Sequence, residues 1–160
     1  MNWETLYQMQ RNLDQYIENQ HQIEQGTKVD EKILAFLVEV GELANETRCF
    51  KFWSLKGPSD KDVILEEYVD GLHFLLSVGL DCGFRYTETE YGECDTQVEA
   101  FLNIYRSSET FRDKKTAANY QQLFSSFLQL GRTLGFHEDE SFHAYYEKNE
   151  VNYQRQDEGY

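Results

Sequence analysis

Proline removes a backbone donor and clashes with the preceding helical turn, and Pro58 is the only proline in these 160 residues. The ten glycines are scattered, and apolar residues recur mostly at every third or fourth position instead of alternating. Few breaks and a helical period predict an all-α chain: a helical bundle of about six helices in a single domain, residues 1–160.

Trp3, Leu6, Leu13 and Ile17 mark the inner stripe of a first helix, about 2–24, ending near Gly26. Gln10 falls on that stripe, an amide where the pattern asks for an aliphatic group. A second helix, with Asp30 as its cap, runs through Ile33, Leu37 and Val40 to about Arg48. CFKFWSLKGPSDKD then breaks the period, and Asp60 or Asp62 caps a third helix from about Val63 to Leu80. A connection of about a dozen residues makes these two helices an antiparallel pair. Phe84 to Asp95 has no period and reads as a loop. Further helices are expected around Val98 to Tyr105, over Ala117 to Leu134 and over about Glu140 to Tyr153.

The formal net charge is −14, from 15 basic and 29 acidic side chains. Such a surface repels phosphate backbones, which argues against nucleic acid and against an anionic membrane as partners. A phosphate ligand would need a metal beside it. The hydrophobic share, 40%, is enough for a core, and the longest apolar-rich stretch, Leu72 to Leu80, is far too short to cross a bilayer. Cys49, Cys82 and Cys94 fit neither a disulfide framework nor a zinc ribbon, and the N-terminus has no signal-peptide pattern, so the expected location is cytoplasmic.

Two acidic pairs stand out. Glu39 and Glu42 lie on the second helix and Glu67 and Asp70 on the third, each spaced i, i+3, which sets two carboxylates on one helix face a turn apart. Glu90 with Glu93 and Glu147 with Glu150 share the spacing but lie in polar surroundings and read as solvated. The third helix is apolar nearly all round, so charges kept there call for a partner or a metal. Facing each other, the pairs would form an all-oxygen site suited to magnesium (Mg2+), with manganese (Mn2+) as a substitute. The C-terminal YYEKNEVNYQRQDEGY gathers Lys148, Asn149, Asn152 and Arg155 in an otherwise acidic chain, either as cations complementing a helix dipole or as a clamp for phosphates.

The segments EVGELANE, CFKFWS, EEYVDGLHF and YxxKNxxNxxRQxxGY, in this order, resemble the dimeric dUTPases, which belong with the MazG-like enzymes to the all-α nucleotide pyrophosphohydrolases. The resemblance extends over nearly the whole chain. It implies magnesium-dependent hydrolysis of dUTP to dUMP and pyrophosphate, with Glu39, Glu42, Glu67 and Asp70 as metal ligands and a carboxylate of the first pair orienting the attacking water. It also implies Lys148 and Arg155 on phosphate oxygens, Asn149 and Asn152 near phosphates or sugar, and Gln10 reading uracil. Trp53 and Phe74 would pack against the base, or alternatively belong to the core. His73 reads as capping a cavity. Asp14 stands where some family members are expected to carry asparagine. A homodimer is expected from the resemblance and from an apparent surplus of apolar positions at Phe101, Tyr105, Phe124 and Phe127. The alternatives are a related pyrophosphatase acting on another base, such as dCTP, and an acidic helical binding protein without activity.

Overall fold

The computed structural model describes residues 2–160, so Met1, the first residue of the expected domain, lies outside it. Six helices follow one another: α1 (Trp3–His21), α2 (Val29–Thr47), α3 (Lys61–Cys82), α4 (Gln97–Asp113), α5 (Ala117–Thr133) and α6 (Glu138–Asp157), with no strand among the described residues. The all-α bundle expected from the period is the fold found. No helix is long and apolar enough to cross a membrane.

Helix ends depart from expectation where capping decides them. α2 is capped at Lys28, not Asp30, which lies in the first turn where its charge meets the positive end of the helix dipole. α3 begins two residues before Val63 and runs past Leu80 to Gly83, whose φ of 77° takes the left-handed turn that ends it. α6 starts at Glu138 through a capping box and extends to Asp157, so the whole cationic tail is helical. The stretch from Phe84 to Asp95 is a loop, as its lack of period suggested.

α3 is the central helix. It lies against α2 over the most extensive contact in the bundle and also meets α1, α5 and α6. Its buried side, with Tyr68, Leu72, Leu75 and Leu76, packs into an aromatic core. The Tyr68 and Phe127 rings stack at 4.4 Å, and those of Tyr86 and Phe124 at 4.5 Å. Phe101, Phe124 and Phe127 are therefore interior residues of one chain, and the surplus they suggested is not on the surface. Periodicity marks a residue as buried without saying in which core. Tyr105 alone of the four remains partly exposed, its hydroxyl donating to the Leu37 carbonyl across α2 and α4.

Two glycines, one on α3 and one on α5, leave room for tyrosines of the other helix. A Cβ at Gly79 would overlap the Tyr120 ring and hydroxyl, and one at Gly131 those of Tyr68. Tyr120 cannot retreat: its hydroxyl donates to the Leu75 carbonyl and is paired with the Tyr7 hydroxyl, both at 2.9 Å. Gly79→Ala is expected to destabilise the fold by about 1–3 kcal/mol, read as a lower midpoint in denaturant at unchanged slope.

Candidate metal and nucleotide site

The connection between α2 and α3 reverses the chain, so the acidic faces of the two helices oppose each other. Ligand oxygens of Glu39, Glu67 and Asp70 come within 4.8 Å of one another. Burial, then repulsion from neighbouring acids, pushes Glu39 up to about 8 and Glu67 up to about 7. Burial also raises Asp70, although Lys148 opposes the shift. Glu42 is exposed one helical turn from Glu39, and its charge adds to the upward shift of that residue. It shares a shallow outer recess with Glu67 and Asn45, so the four carboxylates form a strip running from the interior to the surface. Three hard oxygen donors that repel each other, held at this separation, suit a divalent cation.

On the inner side Glu39 and Asp70 open into a cavity of about 370 Å³ between α1, α2, α3 and α6. Phe74, Lys148, Asn152 and Arg155 also line it. Lys148 is buried, and its ammonium lies 3.0 Å from both Asp70 Oδ1 and Glu66 Oε1. Burial works against that charge, yet the two carboxylates hold its pKa above the ordinary value. Glu66 is thus tied to the site through Lys148 from an exposed position.

The far end of the cavity holds Gln10, Asp14, Lys32, Ser77 and Asp81. Gln10 is buried, its Oε1 accepting from the Tyr145 hydroxyl at 2.9 Å and meeting His73 Nδ1 at 2.7 Å, while its Nε2 donates to Asp14 Oδ1 at 2.8 Å. Ser77 donates to the other Asp14 oxygen at 2.7 Å. His73 does more than cap: stacked on Tyr145 at 4.0 Å and pushed down to about 3 by burial, it is a neutral ring that orients the Gln10 amide.

Two of the expected site residues lie elsewhere in this chain. Trp53 is 65% exposed in an aromatic cluster with Phe50 and Phe52 and does not line the cavity, because the α2–α3 connection projects away from the bundle. Asn149 is buried on α6 behind the cavity lining, its amide nitrogen without a partner. Lys32, Ser77 and Asp81 were missed from the sequence. A signal existed for the last two: Asp70, Phe74, Ser77 and Asp81 follow one stripe of α3 at three-to-four spacing, with polar groups on an apolar helix.

An all-helical bundle with clustered carboxylates at one end of a cavity and cations and amides around it is the class of a metal-assisted nucleotide hydrolase. A sequence profile described as dUTPase matches residues 2–160, and the chain belongs to this family of all-α dimeric dUTPases. Membership carries the hydrolysis of dUTP to dUMP and pyrophosphate and the use of a divalent metal, and it sets aside the inactive binding protein. No curated protein matches the sequence.

An acid whose folded pKa lies above its unfolded value keeps its proton longer in the folded state, so stability falls as pH rises between the two values. For Glu39 and Glu67 that window runs from about 4.5 to about 8. The metal-free protein is expected to lose melting temperature across this range, and Glu39→Gln to flatten the loss, as followed by circular dichroism.

Proposed function

We propose that the carboxylate strip is the catalytic centre for dUTP hydrolysis and that magnesium, with manganese as a substitute, is its metal. The observation that carries this is the convergence of Glu39, Glu67 and Asp70 beside a cavity lined by Lys148 and Arg155. When bound there, the cation neutralises the acids and phosphates and acidifies water. Glu39, Glu42, Glu67 and Asp70 would hold it. Glu42, exposed and one helical turn from Glu39, would orient water and accept its proton.

Lys148 and Arg155 bind phosphate oxygens, Lys148 releasing Glu66 to do so, and Asn152 bonds phosphate or sugar. Phe74 forms an apolar wall for the nucleoside, and Gln10 reads the base from the far end. Trp53 and Asn149 lie outside this chain's own cavity lining and take no part in this reading.

The second copy of a homodimer would cover the face formed by Leu34 and Val38 on α2 and Val98, Leu102 and Tyr105 on α4. Leu34 and Leu102 are 64% and 61% exposed, and the two helices are adjacent, so these side chains make one apolar surface. Val38 also borders the recess holding Glu42 and Glu67, so docking there would shield the outer side of the carboxylates. Leu102→Glu is expected to shift the sedimentation coefficient from dimer to monomer; a wild-type monomer at micromolar concentration would contradict the dimer.

Incubation with dUTP, dCTP, dTTP and UTP tests the catalytic reading. Magnesium-dependent release of dUMP and pyrophosphate from dUTP, abolished by EDTA and reduced on the order of 100-fold or more in Glu42→Gln and Asp70→Asn, is the expected result. Undiminished turnover in both variants would contradict the site, and preferential cleavage of dCTP would contradict the base assignment.

A further inference from the structure

Lys148 borders two spaces at once: the inner cavity, with Asp70, and an outer groove between α3 and α6, with Glu66. Its ammonium lies 3.0 Å from a carboxylate oxygen of each. Glu66 and Asp70 are four residues apart on α3, so they stand on one helix face a turn apart and the ammonium spans them. The two acids are not equivalent. Asp70 belongs to the carboxylate group that suits a divalent cation, whereas Glu66 lies outside that group and its side chain is 60% exposed. The other basic groups of the groove face acids of α6, Lys61 at 3.0 Å from Glu140 and His143 at 3.3 Å from Glu147, which leaves Glu66 to Lys148.

Glu66 is costly where it stands. Its charge adds to the repulsion felt by Glu67 and Asp70, and the favourable contact it makes is the one with Lys148. Two cations on one carboxylate repel each other, so an ammonium on Asp70 competes with a divalent ion for that residue. An ammonium that left Asp70 with no other acceptor would be an unpaired charge in a buried place. Glu66 removes that cost. The lysine stem is flexible, and a small shift toward Glu66 keeps a hydrogen bond and a counter-charge while the ammonium stays beside the cavity.

We propose that Glu66 is a positioning residue that takes Lys148 over from Asp70, freeing Asp70 for the metal and holding the ammonium at the cavity wall until a substrate phosphate draws it away. The proposal rests on the metal site and the dUTP hydrolysis described above and adds an order of partners for Lys148: Asp70 with Glu66, then Glu66 alone, then phosphate. Glu66 touches neither metal nor substrate in this order and acts through Lys148.

Calorimetric titration with manganese near pH 7 of wild type, Glu66→Gln, Lys148→Met and the double variant tests the handover. With Lys148 present, Glu66→Gln is expected to weaken manganese binding about tenfold, because the ammonium then stays on Asp70; in the Lys148→Met background the same substitution is expected to change binding by no more than about twofold. An equal loss in both backgrounds would mean that Glu66 acts only through its own charge, and no loss in either that it takes no part; both results overturn its role. Should Lys148→Met fail to fold, a crystal structure of the wild type grown with manganese decides: an ammonium on Glu66 and away from Asp70 supports the handover, and an ammonium still on Asp70 overturns it. Wild type that binds no manganese would overturn the metal-site reading, and the handover with it.

Discussion

Holding three carboxylates within 4.8 Å opposes folding, and the rest of this bundle supplies what that arrangement needs. Like charges at this distance in a partly buried place cannot all ionise without a compensating cation. The compensation comes from packing remote from the site: α3 is fixed by stacked rings, by tyrosines seated over Gly79 and Gly131 and by the broad contact with α2. A rigid α2–α3 pair keeps acids together that would otherwise separate. On the proposed reading, the same rigidity would make the cluster a prepared site, its geometry existing before a cation enters.

Lys148 links the acid cluster to the C-terminal helix. Its ammonium contacts Asp70 and Glu66, so part of the repulsion is relieved from α6, the element that also carries Asn152 and Arg155. Cations on α6 and acids on α2 and α3 thus face one cavity. On the proposed reading, a strongly acidic protein would obtain by this means a local environment that accepts phosphate, with a divalent cation supplying the remaining positive charge. The far end has its own balance, where Lys32 lies between Asp14 and Asp81.

Much of this was legible in the sequence. A near absence of proline and a helical period gave away the bundle, and carboxylates on an apolar helix gave away Glu67 and Asp70, because their burial demands a reason. Gln10 was visible for the same reason, as a polar group on an apolar stripe. What stayed hidden depends on how separate helices meet. Lys32 looks like an ordinary solvated lysine until α1 and α3 bring Asp14 and Asp81 to it. Trp53 and the aromatics of α4 and α5 could not be divided between site, core and partner surface, since a hydrophobic pattern reports burial and not the neighbour. The sequence motifs themselves narrowed the family, and the profile match over residues 2–160 agrees with them.

The central claim, that these carboxylates form a divalent-metal site held ready by the fold, is tested most directly by calorimetric titration of the metal-free protein with manganese near pH 7, in two buffers of different ionisation enthalpy. With Glu39 at about 8 and Glu67 at about 7, the site is partly protonated at that pH and must release protons as metal binds. The account predicts saturable binding with proton release that is reduced in Glu39→Gln. Absence of binding, or binding unchanged in Glu39→Gln and without proton release, would contradict it.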